Sequence, residues 1–320
     1  MLYPQQTPTR CVLDLNGVWD LAREHADEGQ QHGFVAEKKV AVPSSYNDLY
    51  ADEGFRMWFD GVWYARRFCV PRMLKGERLV LRFGSVSYRC DVFVNGTRAG
   101  GHSSGYTPFE FDVTELVDHE GENLLCVRGE NILSAETVPM GRLNNRPENG
   151  QFAGQYPDVP FDFFPYAGIQ RNVCLYTTSK NVWISDVTVV TEIIGTTGRV
   201  TVSGAVELGN PWNLPSLRRV CSVELTVLET DVDVVTFHTD IGGSFKESFD
   251  IANAKFWGVN EPNLRGPASL GSPWRGARLG FAGTGCESER RSRPVAKPSM
   301  TSTCSGSGCG RWRCAGTGCC

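Results

Sequence analysis

No stretch of this 320-residue chain approaches the roughly 18 consecutive apolar residues needed to cross a bilayer as a helix. Its first residues, MLYPQQTPTR, lack the apolar core of a secretory signal, so a cytoplasmic location is the expectation. Positive charge is not in excess either. With 32 Lys+Arg against 36 Asp+Glu, the net charge is −4 and the isoelectric point is near 5.8. That balance gives no electrostatic reason to expect nucleic acid or an anionic membrane as a partner. Long helical periodicity and solenoid-length repeats are also missing. What is present is a globular composition, 41% hydrophobic and 21% charged, in a chain long enough for two ordinary domains.

The averages conceal a break. Residues 1–264 carry 23 Lys+Arg against 34 Asp+Glu, a net of −11; residues 265–320 carry nine basic and two acidic residues, a net of +7. The later stretch has no Ile, no Tyr and a single Val, but eleven Gly and six of the twelve Cys. So little apolar surface cannot offset the cost of ordering backbone, about 1–2 kcal/mol per residue, and 265–320 is expected to be disordered. Its Gly, Arg, Ala, Ser and Cys richness is what GC-rich DNA yields when read out of frame. This points to a frameshift, or a misassigned exon, just after Leu264.

Before that break the chain reads as short strands punctuated by turns. The organising stretch is Tyr88–Val113, where Val92 and Val94 alternate with Asp91 and Phe93. Asn95-Gly96 follows, the dipeptide that most readily takes positive φ at both centres of a two-residue hairpin. Tyr106, Phe109 and Phe111 then resume the alternation. Val18–Leu21, Val40–Val42, Val62–Tyr64 and Leu124–Val127 are further strand patterns, and Leu79, Leu81 and Phe83 read as one half-buried strand. From Ser134 to Pro160 periodicity disappears, and a loop that long is usually functional or disordered. Val173–Tyr176 closes the series. A second group, Val187–Thr191, Arg199–Val206, Cys221–Glu229 and Val232–His238, suits an immunoglobulin-like sandwich. The fold class expected is therefore all-β: a jelly-roll sandwich over 1–180, an immunoglobulin-like sandwich over 181–264, and the tail 265–320.

Few residues suggest independent chemistry. His25, His32, His102, His119 and His238 have no metal-ligand spacing and are expected in turns or solvent. Cys11, Cys69, Cys90, Cys126, Cys174 and Cys221 fall mostly in strand patterns and read as reduced core residues. The tail cysteines at 304, 309, 314 and 319 are separated by four-residue gaps without the paired, folded context of a zinc module. Ser103-Ser104 beside His102 has no acid partner, and the Gly-rich 100–105 lacks the strand-to-helix context of a phosphate loop.

Five pieces in order resemble the β-glucuronidase branch of glycoside hydrolase family 2. They are Met1–Pro4 with Thr7–Arg10 and Leu15–Trp19; Val42–Asp48; Val62–Tyr64; Gly105–Glu110; and Asp162–Arg171. The resemblance covers residues 1 to about 264, more fully in the first 180. It implies a jelly roll and an immunoglobulin-like sandwich preceding a catalytic TIM barrel, and hydrolysis of terminal β-glucuronosides without a cofactor or metal. A barrel needs about 250 residues, and only 56 follow Leu264. The family's two catalytic glutamates belong to that barrel, where retaining hydrolysis holds them about 5–5.5 Å apart. No position of this chain is assigned a catalytic role.

Trp257–Pro262 resembles the family's acid/base motif, but no barrel strands precede Glu261, and the motif falls where the immunoglobulin-like domain should end. For Asp162 the resemblance implies a reach from the jelly roll towards sugar bound in the barrel. A short acceptor-only side chain suits a pair of sugar hydroxyls; the alternative is a turn cap between Phe161 and Phe163. The expected partner is a carbohydrate. Homo-oligomeric assembly is implied by the resemblance, with the oligomeric state left open. The expected function is that of a truncated, inactive β-glucuronidase. Its alternatives are a non-catalytic carbohydrate-binding module, or a portion of a β-galactosidase or β-mannosidase.

Overall fold

The computed structural model describes residues 3–24, 29–50, 54–146, 154–209, 220–225, 235–240, 243–261, 263 and 278–280. For 143–146, 154–158, 208, 220–225, 235–240 and 278–280 the backbone alone is described. All of these residues fall in one compact unit, Met1–Ala282.

The chain opens with β1 (Val12–Asp14), β2 (Gly17–Arg23), β3 (Lys38–Val42), the single helical turn α1 (Tyr46–Leu49) and β4 (Gly61–Cys69). Next come β5 (Arg78–Phe83), β6 (Arg89–Val94), β7 (Thr97–Ser103), β8 (Phe109–Asp112) and β9 (Glu122–Glu130). A hairpin of β10 (Arg142–Arg146) and β11 (Gly154–Asp158) precedes β12 (Val173–Thr178). The strands make a four-stranded sheet, β1-β12-β5-β8, and a six-stranded sheet, β3-β2-β4-β9-β6-β7. Every pairing in both is antiparallel.

Alternation decides which side chains go inside. Cys90, Val92 and Val94 are buried along β6, while Arg89, Asp91 and Phe93 are only partly covered, the period-2 pattern of a sheet with one face on the core. Leu79, Leu81, Phe83 and Leu175 from the smaller sheet share one core with Trp19, Leu21, Tyr64, Leu125 and Val127 from the larger. The β6–β7 turn forms at Asn95 and Gly96, with φ of 51° and 79°. Asn95 locks it, donating to Leu116 O (2.9 Å) and Asn123 Oδ1 (2.8 Å) and accepting from Leu124 N (2.9 Å). Only glycine suits position 96 on both counts, because a Cβ there would collide with the His32 ring.

Two local expectations are corrected. The strand carrying Leu79–Phe83 is buried on both faces rather than one, since Val80 and Arg82 are also covered. Arg82 lies across the sheet from Glu110, and the two form a 2.6 Å ion pair that allows a cation to be 4% exposed. The aperiodic stretch from Ser134 to Pro160 contains the β10–β11 hairpin. Its Asn- and Pro-bearing strands carry no apolar alternation to announce them. Residues 29–36 add a second small core, with Phe34 packed beside Trp63, Phe93, Cys126 and Leu124 on the outer face of the larger sheet.

The later strands are β13 (Val182–Ile194), β14 (Thr197–Leu208), β15 (Val220–Leu225), β16 (Val235–Asp240), β17 (Ser244–Ile251) and β18 (Arg278–Gly280). They form the sheets β13-β14-β17 and β16-β15-β18. β17 was not legible as a strand, because Glu247 interrupts the apolar set of Phe245, Phe249 and Ile251. Of the stretch 265–320, expected to be without strands, Arg278–Gly280 pairs antiparallel with β15; the remainder, with its cysteines, lies outside the described residues. No helix among the described residues is long and apolar enough to cross a membrane.

Candidate functional site

Asp162 stands in the connection between β11 and β12, which α1, the 55–56 segment and Tyr88 all contact. The construction begins at Asn47 in α1, which is wholly buried. Its side-chain amide donates to Phe55 O and Arg56 O, both at 3.1 Å, and its carbonyl accepts the backbone N–H of Ala167 at 2.9 Å. One side chain therefore ties the 55–56 segment to the loop that descends from Asp162. Buried polar groups are tolerated when satisfied in this way.

Neighbouring contacts repeat the connection. The Arg56 guanidinium lies 3.9 Å from the Phe164 ring centroid and 5.1 Å from that of Tyr166, and it reaches the Tyr166 hydroxyl at 3.4 Å. Tyr88 donates its hydroxyl to Tyr166 O (3.2 Å), and Gln170 donates to the same carbonyl at 2.7 Å. Ser87 and Gly168 form an isolated antiparallel bridge. Gly168 has φ of +112°, and a Cβ there would sit 2.5 Å from the Tyr64 hydroxyl. The loop thus approaches the sheet at a point where only glycine fits.

Phe161 and Phe163 stack at 4.3 Å, with Asp162 exposed between them. A second knot flanks this loop. The Thr137 hydroxyl accepts from Ser134 N and donates towards Ser134 O and Pro139 O, each at 2.9 Å. Gly141 N donates to Ser134 O at 3.2 Å.

Burial raises the phenols of Tyr46, Tyr64 and Tyr88 above their usual range, so all three stay neutral, and Tyr46 and Tyr88 donate to Trp58 O and Tyr166 O. Burial also pushes the Cys90 thiol up to about 12 and that of Cys126 up to about 11, which leaves almost no thiolate at neutral pH. Cys90, Cys126 and Cys174 are buried and free, as expected of core residues; Cys69 is exposed, and the Cys221 side chain lies outside the described residues. His102 is not simply solvated: it stacks 4.3 Å from Phe109 and meets the Thr107 hydroxyl at 3.0 Å. Among the described residues, no group of three His, Cys, Asp or Glu side chains could hold a metal ion.

Glu261 follows β17 in the chain. It is exposed in a tight turn in which Gly258 N donates to Glu261 O (2.9 Å) and Glu261 N to Gly258 O (3.2 Å). The roles of Asn47, Arg56 and Thr137 were not foreseen. Asn47 sits inside the Val42–Asp48 motif, but nothing in a single sequence shows which buried groups a side-chain amide will join.

The first twelve strands thus supply a two-sheet antiparallel sandwich with aromatic side chains clustered in the loop before β12. Residues 12–179 match the family model described as the sugar binding domain of glycosyl hydrolases family 2. Among curated relatives, the β-glucuronidase of Paenibacillus borealis is 32% identical over 80% of this chain and 42% of its own length. That of Homo sapiens is 31% identical over 77% and 39%. Among solved structures, the Bifidobacterium dentium β-glucuronidase complexed with coumarin-3-O-glucuronide is 31% identical. Its TM-score is 0.69 over 82% of this chain and 45% of that one. The chain belongs to glycosyl hydrolase family 2. It spans about two fifths of the length of the curated relatives it matches.

Proposed function

We propose that this chain is the sugar-binding, non-catalytic portion of a β-glucuronidase, and that alone it does not hydrolyse glycosides. The observation that carries the reading is the coincidence of two features. The family match runs through the sandwich to residue 179, and Asp162 is presented at the one loop cluster that Asn47, Arg56 and Tyr88 brace. An exposed carboxylate on a braced loop suits a pair of sugar hydroxyls, each accepted as a charge-assisted hydrogen bond. The relatives named above are β-glucuronidases, which favours a glucuronoside over a galactoside or mannoside.

The sheet β13-β14-β17 and the paired strands β15 and β16 support an immunoglobulin-like second domain over 181–264, with β18, which pairs with β15, lying past that bound. The break in charge and composition after Leu264 supports a shifted reading frame there. A second reading, a free-standing carbohydrate-binding module, is favoured by the closed core that the first sandwich forms from its own residues.

Incubation of the pure chain with 4-nitrophenyl β-D-glucuronide tests the catalytic half of the proposal. Colour release no faster than the spontaneous rate is expected. Turnover that survives repurification would overturn the non-catalytic assignment.

A further inference from the structure

We propose that Arg78 is a conformational latch: stacked on Trp183, it fixes the direction in which the β13–β14 ribbon leaves the first sandwich, with Asp112 as the residue that positions it. Arg78 is the first residue of β5 in the smaller sheet, and Trp183 is the second residue of β13. Ser179, Lys180 and Asn181 separate β12 from β13, and all three are exposed. Val182, which follows them, is buried. One buried residue defines a pivot but not an angle. Neighbouring side chains of a strand point to opposite faces, so a second contact one residue along, at Trp183, defines the angle.

The latch is built outward from a fixed carboxylate. Asp112 Oδ1 accepts from Thr114 N at 3.0 Å and from the Thr114 hydroxyl at 2.6 Å. Its other oxygen, Oδ2, accepts from Arg78 Nε at 2.7 Å. Arg78 Nη1 reaches the Thr178 hydroxyl, at the end of β12, at 3.5 Å. Held along its edge in this way, the planar guanidinium presents a flat face, and its centre lies 4.2 Å from the centroid of the Trp183 ring. The Arg78 side chain is 18% exposed, so the stack is largely shielded from water, where a cation on an aromatic face contributes most.

Neighbouring polar contacts are weaker or local. Lys180 meets Glu115 at 3.4 Å with both side chains exposed, and such a pair adds little. Ser179 Oγ accepts Asn181 N at 3.3 Å and Val182 N at 3.4 Å, and Gly209 N donates to Asn181 O at 2.8 Å. These bonds shape the connection and the ribbon without tying either to the sandwich. With Arg78 on Trp183 the ribbon and the sandwich move together; with that contact broken the ribbon turns about Val182 and the 179–181 connection opens.

Trypsin cleavage of the full chain after Lys180 reads the latch, because the rate of such a cut follows the population of the opened connection. It is measured as the yield of the fragment that begins at Asn181. Arg78→Met, which keeps an apolar stem without the charge, should speed this cut about tenfold. Trp183→Leu should speed it to a similar degree while leaving the Arg78–Asp112 pair in place, and the double variant should be no faster than either single one. Asp112→Asn should give a rise of about threefold, since Arg78 then keeps its ring partner but loses its anchor. A rate unchanged in both single variants, or single effects that multiply in the double variant, would overturn the latch. So would an equal acceleration after Arg128, in the interior of β9, in both single variants, because that reports a loosened sandwich and not an opened junction.

Discussion

Asn47 and Ala167 are joined across 120 residues of chain by a 2.9 Å hydrogen bond from the Ala167 backbone to the Asn47 side chain, with both residues wholly buried. The bond fixes the lower end of the loop that presents Asp162. The other two bonds of the same amide fix the segment carrying Arg56. If Asp162 contacts sugar as proposed, its recognition should depend on Asn47 as well.

Replacing Asn47 with Ala removes those three hydrogen bonds and the one its carbonyl accepts from Ser45, and leaves Arg56 O and the Ala167 N–H without these partners, while Phe55 O keeps its bond from Trp58 N. The expected loss is about 3 kcal/mol, read from urea denaturation. Under conditions where the variant remains folded, its affinity for glucuronate should fall with it. A variant as stable as the starting chain would contradict the bracing role.

Gly168→Ala should destabilise by roughly 2 kcal/mol, because the new Cβ would meet the Tyr64 hydroxyl in a backbone conformation that L residues avoid. Thermal unfolding compared with Gly76→Ala separates the two causes. Gly76 also has positive φ, but a Cβ there meets nothing within 4 Å. The expected order is Gly168→Ala below Gly76→Ala.

Arg82 and Glu110 form a buried pair at 2.6 Å, and the second oxygen of Glu110 accepts the Tyr176 hydroxyl at 2.9 Å. Glu110→Gln leaves a buried guanidinium without its counter-charge and should cost about 3 kcal/mol. Replacing both members, Arg82→Met with Glu110→Leu, should cost much less than the single change. A double-mutant cycle by denaturation measures the difference.

Acid should weaken the fold in two stages. Burial against Phe109 holds the His102 imidazole below its usual value, so the unfolded chain takes up that proton first. Stability should be level above about pH 6.5 and decline as pH falls from there towards the lower folded value. Glu24 is held below the usual carboxylate range chiefly by its hydrogen bonds from Arg128, at 2.5 and 2.7 Å. Its contribution is full above about pH 4.3 and is lost as pH falls through the depressed folded value. Unfolding free energy measured against pH should lose the first stage in His102→Phe and diminish the second in Glu24→Gln.

The parts of this structure that sequence made legible are those governed by short-range rules. Asn95-Gly96 forced a turn, and Val92 and Val94 fell to the core side because strand geometry alternates. Arg82 was not legible as a buried residue, because its burial depends on Glu110 arriving from a strand 28 residues later. The β10–β11 hairpin and β17 escaped notice for lack of apolar alternation. Asp162 was singled out by resemblance, whereas the contacts that brace its loop were not legible: Asn47, Arg56 and Tyr88 act through contacts 78 to 120 residues away.

The most direct test of the account is a calorimetric titration of the whole chain with glucuronate, repeated with Asp162→Ala. The account predicts measurable heat at millimolar ligand, and a loss of at least about tenfold in affinity when the carboxylate is removed. No heat from the starting chain, or the same affinity in the variant, would contradict it.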